Sequence, residues 1–295
     1  MTWKEIIDKA RSSGKIGVAV ACADDSVVLS ALKKAKDEGL IEGLLVGNRQ
    51  KIEAELKTLS IPLTDFEIIE AKNDSEAAAV SVNLVRQNRA KALMKGMIST
   101  STLLKAVLDK EQGLRSGGLL SHILAAEIRM RMFFVTDGGM NLYPDLAQKV
   151  KIIENAVDIA CRLGIPCPKV APLCAVETVN PDMRATLDAA QLAKMAERGQ
   201  IKRCIIDGPL ALDNAVSMEA AKHKKISGPV AGLADILLVP QIDAGNILGK
   251  SLIYFAHAAV GGIIAGAAAP VILLSRADDD ATKFNSICLA KAVMC

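Results

Sequence analysis

A serine, an arginine and three carboxylates stand together near the end of this 295-residue chain, in the run Ser275-Arg276-Ala277-Asp278-Asp279-Asp280. A serine hydroxyl can donate and accept hydrogen bonds, and the planar guanidinium of arginine suits phosphate or carboxylate oxygens. An aspartate beside them could hold or remove a proton. The run follows Pro270 and a short apolar stretch typical of a buried strand, and ligands of α/β sheets bind beyond the carboxyl ends of such strands. The alternative is a structural role, in which an aspartate caps a last helix from Ala281 to Met294.

A second polar run follows a strand predicted from Lys91 to Gly96. Residues Ser99 to Thr102 supply four consecutive hydroxyls just before a helix predicted from Thr102 to Lys110. Hydroxyls and free amides at the start of a helix can bind an anion. They also serve as ordinary helix caps, and the sequence leaves both interpretations open.

Polar residues end other predicted strands as well. Asp137 and Asp207 lie at the carboxyl ends of strands predicted over Arg129–Asp137 and Arg203–Gly208, and Asn246 follows another. Together with the two polar runs, these residues would suit a cleft that binds an anionic substrate.

One glycine-bearing stretch approaches a P-loop without matching it. A P-loop needs GxxxxGK[ST], and here Gly245 and Gly249 are one residue too close together. A helix that starts at Asn246, with Lys250 one turn in, would still favour an anion. That helix is predicted to end near Gly266.

The elements that must position these residues alternate along the chain, since short apolar runs alternate with helical patterns. About nine strands are predicted, and Gly113–His122 is expected to form a flexible loop. The pattern indicates an α/β protein with mostly parallel sheets flanked by helices. We expect a first domain of residues 1–133 plus 270–295 and a second domain of residues 134–269.

Composition excludes several classes of function. Aromatic residues are only 3% of the chain and the net charge is +3, so neither stacking platforms nor a basic groove for nucleic acid is indicated. The three histidines form no metal motif, so no metal site is expected. The seven cysteines contain no CxxC pair, and no signal peptide precedes the first strand, which predicts free thiols in the cytoplasm.

One segment is long enough to cross a membrane. Ser251 to Ser275 contains no ionised side chain. Because it is rich in alanine and glycine, includes His257 and is divided by Pro270, we interpret it as a buried helix followed by a buried strand. No membrane partner is expected.

Short motifs in one shared order resemble those of the phosphate acetyl/butyryltransferase family, and within it the butyryl branch. Each motif is modest alone, but together they extend over nearly the whole chain and make the resemblance specific. The motifs are Met94–Leu108, Gly118–His122, Val135–Gly139, Asn155–Val157, Val176–Met183, Asp207–Ala211, Val230–Ile236, Ala244–Asn246 and Ser275–Asp278.

The resemblance implies two domains folded like isocitrate and isopropylmalate dehydrogenases, with the active site in the cleft between them. It implies an enzyme that converts a short-chain acyl-CoA and phosphate to an acyl phosphate and CoA, reversibly, by direct attack of phosphate on the thioester. Acyl-CoA, CoA and phosphate are then substrates, and no permanently bound cofactor is expected. A homodimer or a higher homo-oligomer is implied.

The resemblance also suggests roles for single residues. Arg276 would clamp phosphate, Ser275 would steady the thioester oxygen and Asp278 would handle the proton. The acetyl branch carries an aspartate seven residues after its serine, where this chain has Thr282. The proton-handling role therefore stays open among Asp278, Asp279 and Asp280. Further residues expected to bind substrate are Lys95, Thr100, Ser101, Ser121, His122, Asp207, Gly245, Asn246 and Lys250.

Acyl length stays open, because one methylene changes discrimination by only about 1–3 kcal/mol. Butyryl-CoA or a similar substrate is favoured, and acetyl transfer is the first alternative. A dehydrogenase of the same fold that uses NAD and a metal is the second. A sensor that binds acyl-CoA without turnover is the third.

Overall fold

The computed structural model describes residues 1–275 and 277–295, and helices alternate with strands along most of this length. The first elements are α1 (Trp3–Arg11), β1 (Ile16–Ala21), α2 (Ser26–Asp37), β2 (Ile41–Gly47), α3 (Arg49–Thr58), β3 (Glu67–Glu70), α4 (Asp74–Arg86), β4 (Ala92–Lys95) and α5 (Thr100–Val107). The next are β5 (Ser121–Ile128), β6 (Arg131–Thr136), α6 (Leu146–Arg162), β7 (Lys169–Pro172), α7 (Arg184–Glu197), β8 (Ile205–Ile206), α8 (Leu212–Val216) and α9 (Met218–His223). The last are β9 (Ile236–Leu238), α10 (Ile242–Tyr254), β10 (Ala259–Ala265), β11 (Val271–Ile272) and α11 (Asp280–Ala292).

The chain forms two compact units. The terminal unit comprises Trp3–Gly118 and Val260–Cys295, and the central unit comprises Met1–Thr2 and Leu119–Ala259.

Six strands of the terminal unit lie in the order β3-β2-β1-β4-β11-β10. Neighbours are parallel except β10 and β11, which are antiparallel. Residues Val18 to Ala21 of β1 are completely buried, as are Leu93 and Met94 of β4. Uninterrupted apolar runs of this kind are typical of parallel strands covered on both faces. Here α4 packs on β1 and β2, and α1 and α2 pack against α11.

Five strands of the central unit lie in the order β5-β6-β9-β7-β8, with β5 and β6 antiparallel and the other neighbours parallel. Phe133 and Val135 of β6 and Leu237 of β9 belong to its core. Helix α6 packs on β5, β6 and β9, and α7 packs on β7 and β8. The prediction of an α/β protein with mostly parallel strands flanked by helices is confirmed.

The structure corrects the prediction for residues 113–137. Ser121 and His122 do not lie in a loop but begin β5, which pairs with β6 as a hairpin. Its two turn residues, Arg129 and Met130, have φ values of 51° and 64°. Such turns usually carry asparagine and glycine. Because this turn carries Arg-Met instead, the sequence did not indicate a hairpin here.

The long apolar helix predicted from Asn246 to near Gly266 is also wrong at both ends. Helix α10 begins at Ile242 and ends at Tyr254, and residues 259–265 form strand β10. Strand β10 pairs with β11 through Ile264 and Val271. An uncharged run does not distinguish a buried helix from a buried strand, because both lack polar residues.

These two pairings decide which residues each unit contains. The β5–β6 hairpin keeps residues 119–133 in the central unit, and the β10–β11 pair keeps residues 260–269 in the terminal unit. The two domains expected from the sequence have different boundaries, after residue 133 and after residue 269. That division into domains stays a prediction.

The cysteines have the state that the sequence predicts. All seven cysteines are free thiols. Across residues 1–275 and 277–295, every helix is too short or too polar to cross a membrane.

Candidate functional site

The two polar runs of the terminal unit leave the same edge of its sheet. Strands β4 and β11 are parallel neighbours, with Leu93 opposite Val271 and Met94 opposite Ile272. Because parallel strands end at one edge, the loops after Lys95 and Ile272 start side by side. The expectation that both runs follow carboxyl ends of buried strands is thereby confirmed.

Lys95 and Gly96 form a crowded end of β4. Lys95 is only 8% exposed, and its Nζ donates to the carbonyl oxygen of Gly96 over 3.2 Å. A Cβ on Gly96 would come within 2.0 Å of the Cys22 carbonyl oxygen. Only glycine fits this close approach of two backbones. The crowding fixes the point from which the hydroxyl run departs.

Ser99 caps α5, which begins at Thr100 rather than at the predicted Thr102. Its Oγ accepts from the backbone N–H of Thr102 at 3.1 Å and lies 3.0 Å from the Oγ of Ser101. Thr100 and Ser101 are exposed. The helix-cap interpretation is confirmed for Ser99, and anion binding by Thr100 and Ser101 stays a prediction.

The loop after β11 closes on itself through Ser275 and Asp278. The backbone N–H of Ser275 donates to Oδ2 of Asp278 at 2.8 Å, and the N–H of Ala277 donates to Oγ of Ser275 at 3.3 Å. Nζ of Lys283 reaches back to the Asp278 carbonyl oxygen at 2.5 Å. Arg276 lies outside the described residues.

The three candidate acids of this loop differ in their surroundings. Asp279 caps α11, where its Oδ1 accepts from the N–H of Thr282 at 2.8 Å. Hydrogen bonds from the Thr282 hydroxyl and N–H hold the pKa of Asp279 below its usual value. Oδ1 of Asp280 accepts the N–H of Ala281 at 2.9 Å. Asp279 therefore has the capping role that the alternative interpretation predicted.

In the central unit, Asp137 lies directly after β6 and is only 2% exposed. Its Oδ1 accepts from the backbone N–H groups of Gly139 and Met140, both at 2.9 Å. Its Oδ2 accepts from Asn141, from the backbone N–H at 3.2 Å and from the side-chain amide at 2.6 Å. Four donors surround this carboxylate, so it organises its own loop.

Gly138 and Gly245 let that loop touch α10 with bare backbone. A Cβ on Gly245 would come within 2.6 Å of the Gly138 Cα, and a Cβ on Gly138 would come within 2.7 Å of the Gly245 carbonyl carbon. The neighbouring Asn246 is exposed, with its side-chain nitrogen 3.5 Å from the Gly138 carbonyl oxygen. The contact explains the glycine in a helix where alanine would be the better helix former.

The predicted anion site at a Gly-Asn helix start is wrong. Gly245 lies inside α10, and its N–H donates to the Gln241 carbonyl oxygen at 3.2 Å. Lys250, on the same helix, has its Nζ 5.9 Å from the ring centre of Tyr254. Gly245, Asn246 and Lys250 stay predicted binding residues, but without the free amides of a helix start.

Ser121 and His122 begin β5, beside the end of β6. Ser121 is completely buried, and its Oγ accepts from the side-chain amide of Asn155 at 2.9 Å. The ring of His122 lies under Gly139, where an added Cβ would stand 3.1 Å from Cγ of the imidazole. Ser121 is therefore enclosed in this conformation, whereas His122 is partly exposed.

Asp207 follows β8 and is partly buried. Burial raises the pKa of its carboxyl above the usual value. Gly228 crowds it, because a Cβ there would come within 2.0 Å of Asp207 Oδ2. A carboxyl that holds its proton more tightly than usual suits proton chemistry or a structural contact.

The structure thus gathers the predicted residues into two groups. Lys95, Thr100, Ser101, Ser275 and Asp278 belong to the terminal unit, and Ser121, His122, Asp207, Gly245, Asn246 and Lys250 belong to the central unit. The active site predicted in the cleft between domains stays a prediction. In the part of the chain that the structure describes, no group of three His, Cys, Asp or Glu residues is placed to hold a metal ion.

Sequence reasoning gave no role to Asn141 or Asn155, whose amides hold the start of β5. Asn155 stands in a family-like motif, Asn155–Val157, and that was its only signal. Asn141 follows the Val135–Gly139 motif, but its bond to the Leu120 carbonyl oxygen depends on the undetected hairpin.

The chain is similar to known proteins over nearly its whole length. The profile of a family described as phosphate acetyl/butaryl transferase matches residues 75–291. A phosphate butyryltransferase of Clostridium beijerinckii is 47% identical over 99% of this chain and 97% of its own length. A phosphate acetyltransferase of Thermotoga maritima is 43% identical over 98% of this chain and 99% of its own length.

Solved structures extend the likeness to the fold. A branched-chain phosphotransacylase from Enterococcus faecalis has a TM-score of 0.86 at 36% identity and covers 94% of this chain and 99% of its own. A 4-hydroxythreonine-4-phosphate dehydrogenase from Klebsiella pneumoniae has a TM-score of 0.58 at 12% identity, covering 95% of this chain and 99% of its own. At that identity the second likeness concerns the fold alone.

Proposed function

The chain belongs to the phosphate acetyl/butyryl transferase family, and on that premise we propose that it transfers a butyryl or similar short acyl group between CoA and phosphate. Phosphate acyltransferase activity is shared by its near relatives of both the butyryl and the acetyl type. The substrates are acyl-CoA, CoA and phosphate. We propose in addition the acyl length, the mechanism of the transfer and the residues that carry out the mechanism.

The observation that carries the residue assignment is the parallel pairing of β4 and β11. Because of this pairing, the segment with the Ser99–Thr102 hydroxyls and the Ser275–Asp280 loop both follow strands that end at the same edge of the sheet. Two substrate anions and one developing oxyanion need hydrogen-bond donors that are fixed in advance. Loops anchored at neighbouring strand ends are suited to supply them.

In the proposed reaction, a phosphate oxygen forms a bond to the thioester carbon while the carbon–sulfur bond breaks. Ser275 donates to the carbonyl oxygen as it gains negative charge. Arg276 is assigned to the phosphate because its fork can hold two oxygens at once. Asp278 is assigned to the proton that phosphate loses and the CoA thiolate takes. Its carboxylate is already fixed by the Ser275 N–H.

The remaining assignments concern substrate binding. Lys95, Thr100 and Ser101 are assigned in the terminal unit. In the central unit the assigned residues are Ser121, His122, Asp207, Gly245, Asn246 and Lys250. Ser121 is assigned indirectly, because its hydroxyl is engaged by Asn155.

The test is release of free CoA thiol from butyryl-CoA, with and without phosphate. Release that requires phosphate supports the transferase, and acetyl-CoA under the same conditions gives the acyl preference. Release without phosphate would indicate a thioesterase. Absence of release with every short acyl-CoA would overturn the proposal.

The role of Arg276 has its own test. Arg276→Ala should raise the KM for phosphate by about 10–100-fold, because a bidentate charge-assisted contact is lost. Arg115→Ala is the control arginine in the same unit. Unchanged phosphate kinetics in Arg276→Ala would remove Arg276 from the mechanism.

The finer fold assignment is also part of the proposal: two domains arranged as in isocitrate and isopropylmalate dehydrogenases. The dehydrogenase activity that this fold also carries is not favoured, because the near relatives are acyltransferases. We place the enzyme in the cytoplasm, in keeping with its free thiols.

We also propose a homodimer. An apolar groove of about 460 Å³ on the central unit is lined by residues that include Phe133, Leu212 and Leu252. Ile247 and Phe255, on or just after α10, are 67% and 85% exposed. Exposed apolar groups beside an apolar groove support a self-complementary contact between two copies.

A further inference from the structure

The loop from Asp137 to Leu142 is tied to the start of β5 by one side-chain amide. Nδ2 of Asn141 donates to the Leu120 carbonyl oxygen at 2.9 Å and to Oδ2 of Asp137 at 2.6 Å. Both hydrogens of this amide are therefore used, one toward each segment. Asn141 connects the residue before Ser121 to the loop that follows β6.

His122 lies where these two segments meet. It is the second residue of β5, and its imidazole packs against Gly139 of the loop, where an added Cβ would stand 3.1 Å from Cγ of the ring. The backbone at His122 is held separately, because its carbonyl oxygen accepts from the Thr136 hydroxyl at 2.8 Å. A change in the separation of the loop and the start of β5 would therefore change how the ring packs against Gly139.

The same loop is also attached to α10. The Ile242 N–H donates to the Leu142 carbonyl oxygen at 3.1 Å, and Gly138 touches Gly245 through backbone atoms. Displacement of the loop would therefore change both its contact with α10 and its packing against the His122 ring. Asn141 is the amide that fixes the loop relative to β5.

We propose that Asn141 is a positioning residue that holds the imidazole of His122 in the substrate site. This inference rests on the proposed function, which assigns His122 to substrate binding. In this proposal Asn141 acts by joining the two segments that meet at His122, not by binding substrate itself. The bond to the Leu120 carbonyl oxygen is the essential one, because it connects different parts of the chain.

Asn155 gives the start of β5 a second support. Its Nδ2 donates to the Leu119 carbonyl oxygen at 2.8 Å and to Oγ of Ser121 at 2.9 Å. Removal of the Asn141 amide alone therefore leaves Leu119 and Ser121 attached to α6. An Asn141→Ala variant should fold with the His122 side of the contact loosened.

The first measurement is the imidazole spectrum by proton–nitrogen NMR. The chain has three histidines, at positions 122, 223 and 257, and His122→Ala assigns the signal of interest. We expect Asn141→Ala to move or broaden the His122 signals and to leave the other two unchanged. Unmoved His122 signals would overturn the proposal, whether or not the protein is active.

The matched control is Asn285→Ala in the terminal unit. Its Nδ2 also donates to a backbone carbonyl oxygen, that of Val260, at 3.1 Å. A loss of amide bonding there should leave the His122 signals in place. If Asn285→Ala moves them equally, the effect is general destabilisation and the proposal fails.

A second variant separates the two bonds of Asn141 and serves if Asn141→Ala does not fold. Asn141→Ser keeps one hydroxyl donor for the Asp137 carboxylate within the loop but has no second hydrogen for the Leu120 carbonyl oxygen. We expect it to disturb His122 as Asn141→Ala does. Undisturbed His122 signals in Asn141→Ser would contradict the role of the Leu120 bond.

The kinetic measurement uses phosphate-dependent release of CoA from butyryl-CoA. Asn141→Ala should lower kcat/KM by about 10–100-fold, since small misplacement of a binding group has effects of that order. The double variant with His122→Ala should be no slower than His122→Ala alone, because one residue acts through the other. Multiplying losses would overturn the proposal. An inactive wild type would overturn the proposed function instead, and the NMR comparison would still decide the positioning role.

Discussion

The three neighbouring carboxylates Asp278, Asp279 and Asp280 do different things within one turn of chain. The carboxylate of Asp278 accepts a hydrogen bond from the backbone N–H of Ser275, whereas Asp279 caps α11. A carboxylate whose pKa is held low by hydrogen bonds is a poor base near neutral pH. Asp279 is therefore the least suited of the three to handle the proton, and the proposal keeps Asp278 because its carboxylate is bonded to the N–H of Ser275.

Isosteric substitutions separate these roles. Asp278→Asn should lower kcat by about 100-fold or more, because general acid–base catalysis contributes about 10²–10⁴-fold. Asp279→Asn should change kcat by less than about threefold, since asparagine is an equally good N-cap. Steady-state kinetics at saturating substrates make the comparison. A large loss in Asp279→Asn with Asp278→Asn intact would reverse the assignment.

The raised pKa of Asp207 predicts a pH-dependent stability. The folded state binds this proton more tightly than the unfolded state, so the contribution of Asp207 is fully present below the unfolded pKa. It is lost as pH rises through the folded pKa. Asp207→Asn should therefore be more stable than wild type at neutral pH, with a difference that vanishes in acid.

Urea unfolding across acid and neutral pH measures this difference. Asp279→Asn is the matched variant of opposite sign, because the pKa of Asp279 is lowered. Its stabilising charge is present above the unfolded pKa and is lost as pH falls. A stability difference for Asp207→Asn that does not change with pH would show that its folded and unfolded pKa values are equal.

Among the elements, the contact between α10 and the loop after β6 depends on two absent side chains. Gly138→Ala would place its Cβ 2.7 Å from backbone of α10, which cannot move as a side chain can. Overpacking of this kind costs about 1–3 kcal/mol. We expect Gly138→Ala to lower the free energy of unfolding by that amount and to reduce activity.

Gly245→Ala tests the same contact from the helix side. Alanine would favour the helix by about 1 kcal/mol, but the 2.6 Å approach to Gly138 should outweigh this gain. Gly14→Ala is the control, because an added Cβ there meets nothing within 4 Å. Denaturant unfolding compares Gly138→Ala, Gly245→Ala and Gly14→Ala with wild type. A Gly245→Ala variant more stable than wild type would show that the loop retreats easily.

A buried ion pair joins α6 to α7. Nζ of Lys149 lies 2.7 Å from Oδ2 of Asp188, and their side chains are 6% and 3% exposed. Burial by itself would raise the pKa of Asp188, but hydrogen bonds from Lys149 and Arg184 outweigh it, and the pKa is lowered. Removal of Lys149 would leave the buried Asp188 carboxylate with the bond from Arg184 at 2.8 Å as its remaining ion pair among the described residues.

Lys149→Ala should lower the free energy of unfolding by about 1.5–3 kcal/mol, the loss of one buried charge-assisted bond, because Arg184 still pairs with Asp188. Lys151→Ala is its control on the same helix, because Lys151 pairs with Glu154 at an exposed position. The control should change stability by less than about 1 kcal/mol. Chemical denaturation measures both variants. Equal effects would mean that the bond from Arg184 compensates the Asp188 charge without Lys149.

At the scale of the whole molecule, the groove beside α10 predicts self-association. Ile247→Glu should raise the dimer dissociation constant by at least about tenfold, because an interfacial charge without a partner costs more than about 1.4 kcal/mol. Leu63→Glu is the control, since Leu63 is 51% exposed in the terminal unit. Sedimentation over a range of concentrations measures both. A monomeric wild type, or a dimer unaffected by Ile247→Glu, would exclude this contact.

Much of this molecule follows from local pattern. Buried strands such as β1 and β4, a capped start for α5 and α11 and the α/β class could be predicted because each depends on neighbours in sequence, although the capping residues themselves, Ser99 and Asp279, were not singled out. The family could be predicted because its motifs keep their order along the chain. Local pattern also suggested that polar runs after strands would share an edge.

Only the tertiary structure decided the rest. The β5–β6 hairpin has an Arg-Met turn without the usual residues, and β10 has the composition of a buried helix. The Gly138–Gly245 contact and the bond from Asn141 to Leu120 join residues far apart in sequence. Sequence determines where chemistry-bearing side chains occur, because strand ends and caps are local. It does not determine what holds them, because strand pairing and bare-backbone contacts appear only when distant segments meet.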